Sequence, residues 1–293
     1  MNRIGFRAHD FGKFESASAL AERISKVKDP AFIQLALNKV IPSARAWKDW
    51  DEEYISSIRE ELAAFNVSVA IIGCYINPIH PDPEKRRSEI ERFKKSLRLA
   101  KAFGCPYVGT ETGTTNPSGG YSVTTADPSN LDIFRSTLAE LLEEAEKCDS
   151  YVCIEGVNHT HTISSPARME KILDEFTTDR LKVIFDPINL LPFEGIAEDD
   201  GTPLEHPTPQ AQRRFYSRCL DIFQDKLVAI HCKDYILDPV TGAKVWDRPA
   251  LTGVFDWKGF SAELRSRSID VPWLLENLQP ETVVETTRTL EQF

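Results

Sequence analysis

Four short apolar runs in the second half of the chain each end on a residue type that binds metals. They are Val152-Cys153-Ile154-Glu155, Val183-Ile184-Phe185-Asp186, Leu227-Val228-Ala229-Ile230-His231 and Pro272-Trp273-Leu274-Leu275-Glu276. Three carboxylates and one imidazole make an O/O/O/N ligand set that suits a divalent cation such as Mn²⁺, Mg²⁺, Co²⁺ or Zn²⁺. Glu155 follows Cys-Ile in a buried type of strand, where an unpaired carboxylate is costly. Asp186 precedes Pro187, which disfavours helical backbone at the aspartate and aims it off the strand end. Lys233 lies two residues beyond His231 and faces the same side if the strand continues. It is placed to meet a substrate oxygen or a neighbouring carboxylate.

Further polar residues gather at the same predicted edge. His9 ends the first strand. Asn77 and His80 follow the third, in Asn77-Pro78-Ile79-His80, and Glu111 ends the fourth. Asn158 and His161 follow the fifth, and Asn189 stands three residues beyond Asp186. All six histidines fall at or beyond a predicted strand C-terminus. This wider group is the expected substrate-binding set.

These residues need a scaffold that points strand ends one way. The first four strands are expected at Arg3 to His9, Ala31 to Leu37, Val67 to Tyr75 and Tyr107 to Thr112, and the four runs above supply the rest. Between them, Ile90, Phe93, Leu97 and Ala100 recur at helical spacing, as do Leu131, Phe134, Leu138, Leu141, Leu142 and Ala145. Tyr54, Ile55, Ile58 and Leu62 do so before the third strand, while 261–266 and 280–293 fill the last two helical slots. Eight strands alternating with helices predict one α/β domain over 1–293, a closed (β/α)8 TIM barrel of parallel strands with outer helices. An open doubly wound sheet is the alternative, but Phe6-Arg7-Ala8-His9-Asp10 holds no glycine-rich dinucleotide turn. No P-loop is present either. Two long connections, Leu191 to Gln212 and Tyr235 to Asp256, are expected as loops over the site.

The 293 residues carry a formal charge of −10, which argues against a nucleic-acid partner. No stretch nears the length of a membrane span. The first residues lack the apolar core of a signal peptide. The six cysteines show no CxxC spacing and read as reduced, mostly buried thiols of a cytoplasmic protein.

The strand ends at Glu155, Asp186, His231 and Glu276, with Asn77-Pro78-Ile79-His80-Pro81-Asp82-Pro83, Phe185-Asp186-Pro187-Ile188-Asn189, His231-Cys232-Lys233-Asp234 and Leu275-Glu276-Asn277-Leu278, resemble the xylose-isomerase-like barrel family of sugar (phosphate) isomerases and epimerases. The resemblance spans essentially the whole chain. It implies that Glu155, Asp186, His231 and Glu276 hold one Mn²⁺-like ion, with a sugar or polyol as substrate. It also implies that the two glutamates exchange a proton with the substrate carbon through an enediolate. Lys233 would face the developing oxygen charge. Relatives are often dimers or tetramers, so a homo-oligomer is expected.

The chain departs from the ketose epimerase pattern at three places, holding Asn189 for a histidine, His161 for a second glutamate and Leu237 for an arginine. The His-x-Lys-Asp pattern is similar to that of inosose dehydratases, so a lyase on the same metal site is the nearest alternative. A non-catalytic sugar-binding barrel is the next. The DNA-repair endonuclease branch, with its histidine-rich zinc cluster, fits neither the composition nor the charge.

Overall fold

The computed structural model describes residues 2–193, 195–196 and 207–293. Its strands are β1 (Arg3–Arg7), β2 (Ala31–Leu35), β3 (Val67–Gly73), β4 (Tyr107–Glu111), β5 (Tyr151–Glu155), β6 (Leu181–Phe185), β7 (Leu227–Leu237), β8 (Lys244–Pro249) and β9 (Pro272–Leu275). Strands β1 to β7 pair in sequence order, β7 pairs β9, and β9 returns to β1, every pair parallel. The result is a closed eight-stranded barrel, as the alternation of elements predicts. Among the described residues, eight long helices surround it: Ala17–Ser25, Glu52–Ala63, Pro83–Arg98, Pro128–Cys148, Pro166–Glu175, Pro209–Phe223, Trp257–Ser266 and Val283–Gln292.

The helix starts are written locally. Asp51, Asp82, Ser165, Thr208 and Asp256 each accept a first-turn amide with the side chain, and proline follows Asp82, Ser165 and Thr208. Each apolar face, such as Phe134, Leu138, Leu141 and Ala145, is buried against the barrel wall. Burial of one such large side chain contributes roughly 1.5–3 kcal/mol.

A second, smaller apolar cluster fills the barrel itself: Ile71, Cys153, Ile184, Ala229 and Leu274, with Phe32 packed against it. Gly5 and Gly109 belong to this layer because nothing larger fits. A Cβ on Gly5 would sit 2.3 Å from the Phe32 ring, and one on Gly109 would sit 2.6 Å from Ile184. Side chains two residues apart on a strand share a face. The layer above therefore holds Arg7, Gln34, Glu111, Glu155, Asp186, His231 and Glu276. The apolar plug is the floor of the site, and strand parity writes the site onto it.

Three expectations need correction. The first three strands end two residues earlier than predicted, and His9 lies in a 3-10 turn, Ala8–Phe11. The connection Tyr235 to Asp256 is not a plain loop. Here β7 runs on past the barrel as an eleven-residue strand and turns back as β8 in an antiparallel hairpin. Buried Asp234 accepts the amides of Tyr235, Leu251 and Phe255 and so fixes the return of the chain. Residues 194 and 197–206 of the other long connection, His206 among them, lie outside the described residues. All six cysteines are free, and all but Cys148 are buried. No helix among the described residues is long and apolar enough to cross a membrane.

Candidate metal and proton-transfer site

Glu155, Asp186, His231 and Glu276 meet at the C-terminal end of the barrel, each no more than 3% exposed. His231 Nδ1 lies 3.0 Å from Glu155 Oε2 and 3.2 Å from Glu276 Oε1. It forms no aligned hydrogen bond with either. One ligand atom each from Glu155, Asp186 and His231 fall within 4.8 Å of one another. Glu276 borders this triad through His231, and its other oxygen is held by Arg7 Nη1 at 2.9 Å and Lys233 Nζ at 3.2 Å. Asp186 caps the short Pro187–Leu190 turn, its Oδ1 accepting the amides of Ile188 and Asn189. Its Oδ2 is left for the cluster, 2.9 Å from Lys233 Nζ but without an aligned hydrogen bond.

The charges do not balance within the protein. Three buried carboxylates face two permanent cations, Arg7 and Lys233. A buried anion without a partner is costly, so the cluster calls for one more positive charge. Burial opposes a charged His231, yet the carboxylates of Glu155 and Glu276 push its pKa up to about 9. An imidazolium thus supplies the charge when nothing else does. Burial, partly offset by His231, raises Glu155 above the usual carboxylate range. Glu276 meets the same burial, but Lys233, His231 and Arg7 overcome it and hold it well below that range. The residues fit a divalent cation: an unaligned imidazole nitrogen, an aspartate oxygen without an aligned hydrogen bond and a surplus of buried oxygen charge lie together.

The other predicted residues divide. Asn189 is inside the cluster and donates from Nδ2 to Glu155 Oε1 at 2.6 Å. His161 and Glu111 form a second pair, 3.7 Å apart, and burial lowers the His161 pKa. His9 packs edge-on to Tyr75, and burial, then Arg7 and Lys39, hold its pKa down at about 4. Three residues are occupied with loop structure. Asn77 binds both the amide and the carbonyl of Thr114. Asn158 bridges Ser164 and Phe193. His80 accepts the Asp82 amide. Lys233, expected to meet a substrate oxygen or a neighbouring carboxylate, lies against the carboxylates of Asp186 and Glu276. Leu237 stands beyond the barrel, paired with Lys244 in the hairpin.

Sequence reasoning missed Arg7 and Gln34. Arg7 chelates Asp10 and reaches Asn277 as well as Glu276. Gln34 meets His231 from across the barrel. The signal that could have found both is parity, since each lies two residues beyond a residue of the apolar floor. The loops above are tied by a ring ladder, Tyr121 on His159 at 4.1 Å and His159 on Phe193 at 4.9 Å.

A family model described as xylose isomerase-like TIM barrel matches residues 31–292. No curated protein matches the chain. Among solved structures, a D-tagatose 3-epimerase-like protein is similar with a TM-score of 0.71 at 14% identity, covering 99% of this chain and 96% of its own. A xylose isomerase-like TIM barrel protein from Mycobacterium smegmatis, in complex with magnesium, gives 0.70 at 17% identity over 100% and 96%. The IOLI protein with a bound zinc atom gives 0.67 at 14% identity over 99% and 96%. At such identities the likeness is one of fold.

Proposed function

The chain belongs to the xylose isomerase-like TIM barrel family, and from that premise we propose that it is a divalent-metal-dependent isomerase or epimerase acting on a small sugar or polyol. The observation that carries the reading is the buried cluster of three carboxylates and one imidazole with a deficit of positive charge. Glu155, Asp186, His231 and Glu276 would hold the cation, with Mn²⁺ the first candidate. Magnesium and zinc in two similar structures support a divalent ion without selecting one. When bound, the ion would supply Lewis acidity at the sugar carbonyl and its neighbouring hydroxyl, making the α-hydrogen acidic.

The remaining chemistry falls to side chains. Two carboxylates whose environments push their proton affinities apart divide into base and acid. Glu276, held ionised, takes the α-proton. Glu155, whose proton affinity burial raises, takes up a proton from solvent and delivers it to the carbon, while Glu276 releases the proton it took to solvent, so both carboxylates return to their starting state. Between the two steps the substrate is an enediolate. Lys233 and Arg7 keep positive charge beside Glu276 throughout, which limits the cost of gathering anions. Asn189 orients Glu155 through its carboxamide. His9, Glu111 and His161 are proposed to meet the sugar hydroxyls. Asn77, His80 and Asn158 would act by shaping the loops.

The test is hydrogen exchange. The Mn²⁺-loaded protein is incubated in deuterated water with a panel of ketoses, free and phosphorylated, and the α-carbon is assayed for deuterium. Incorporation with epimer or isomer formation is expected for at least one sugar. Tight sugar binding without exchange would overturn the reading in favour of a binding protein.

A further inference from the structure

Gln34 is 1% exposed and lies on β2, which β1 and β9 separate from β7 around the barrel wall. Its Oε1 lies 2.5 Å from His231 Nε2, and its Nε2 donates to the Tyr75 hydroxyl at 2.5 Å. A carboxamide oxygen only accepts and its nitrogen only donates, while a neutral imidazole carries its one proton on either nitrogen. Two hydrogen-bonded arrangements are therefore self-consistent. In the first, His231 Nε2–H donates to Gln34 Oε1, and Nδ1 presents a lone pair toward Glu155, Asp186 and Glu276. In the second, the amide is reversed, Gln34 donates to Nε2, and the proton sits on Nδ1. Only the first lets Nδ1 act as a ligand. The Tyr75 hydroxyl accepts from the Gln34 amide nitrogen, and burial, with Glu276 next, raises its pKa well above the ordinary value.

We propose that Gln34, backed by the Tyr75 hydroxyl, is a positioning residue that keeps the His231 proton on Nε2 and so reserves Nδ1 for the cation. Groups that orient a ligating histidine typically change metal affinity by roughly 10–100-fold when removed. Neither residue touches the cation or the reacting carbon. Their effect appears in affinity and tautomer, which a purely structural role would leave unchanged. The same arrangement serves the cation-free protein, where an imidazolium donates from Nε2 to the same oxygen. A cation held at Nδ1 would take the place of the proton there without turning the amide.

The affinity part of this inference rests on the proposed metal site, and the tautomer part does not. Two readouts separate them: Mn²⁺ affinity by calorimetry, and ¹⁵N NMR of labelled histidine in cation-free protein at a pH where His231 is neutral. Gln34→Met is expected to bind Mn²⁺ roughly 10–100-fold more weakly and to show a mixed His231 tautomer. Tyr75→Phe keeps the Gln34–His231 bond but removes the acceptor that holds the amide nitrogen in place, so its affinity should fall between wild type and Gln34→Met. An unchanged Nε2–H tautomer with unchanged affinity in both variants would overturn the proposal. If the unsubstituted protein takes up no Mn²⁺, the proposed function falls and the ¹⁵N pattern still decides the role of Gln34. Should Gln34→Met fail to fold, Tyr75→Phe carries the same two readouts.

Discussion

Replacing Lys233 with methionine removes a charge from the centre of the cluster while keeping the volume of the stem. Lys233 is 5% exposed, with Nζ 2.9 Å from Asp186 Oδ2 and 3.2 Å from Glu276 Oε2. Glu276 would retain Arg7 at 2.9 Å and His231 at 3.2 Å. Asp186 would retain two backbone amides on Oδ1 and lose the cation beside Oδ2. One carboxylate oxygen is thus left buried without a counter-charge, and breaking a buried pair in this way costs roughly 3–5 kcal/mol. The surviving partners of Glu276 place the expected loss near the lower end. At roughly 2 °C per kcal/mol for a chain this long, melting with a chelator present should fall by roughly 6 °C or more. Added Mn²⁺ should recover more stability in Lys233→Met than in the unsubstituted protein, because the variant has the larger charge deficit. Thermal denaturation with chelator and with excess Mn²⁺ measures both. A variant as stable as the parent in chelator, with no greater gain from Mn²⁺, would refute the charge argument.

His231 predicts an alkaline loss of stability in the cation-free protein. Its folded pKa, about 9, is raised above the ordinary 6.5, so its contribution is complete below about pH 6.5 and gone above about pH 9. The shift corresponds to roughly 3 kcal/mol at about 1.4 kcal/mol per unit, and chelated denaturation at the two ends of that window checks it. His9 predicts the opposite slope: held down to about 4, it costs stability as pH falls below about 6.5, and His9→Gln should flatten that part of an acid denaturation curve. Glu155→Gln and Glu276→Gln should each slow deuterium exchange on a turned-over sugar by roughly 10²–10⁴-fold, and full activity in either would end the two-carboxylate scheme.

Much of the fold and the four central residues were legible because several signals agreed. Apolar runs of strand length alternated with helical spacing, and Glu155, Asp186, His231 and Glu276 each closed a run. Strand ends were overrun because residues such as Ala36 and Leu37 are apolar yet begin a helical turn, Leu37–Val40. The length of β7 was hidden by Lys233 and Asp234, charged residues that read as the end of a strand. One neutralises the cluster and the other is satisfied by backbone amides, and neither partner set is visible before the chain closes. Gln34 was overlooked for the same reason. A single amide in an apolar strand looks incidental until β2 and β7 face each other across the barrel. Asn77 and Asn158 were over-read, since loops that must be held over a site spend polar side chains on their own backbone.

Calorimetric titration of the cation-free chain with Mn²⁺, set beside His231→Ala and Asp186→Asn, tests the central claim most directly. The parent protein is expected to bind one cation per chain, released by chelator, and both variants to show marked loss of binding. No uptake by the parent, or uptake that survives both substitutions, would contradict it.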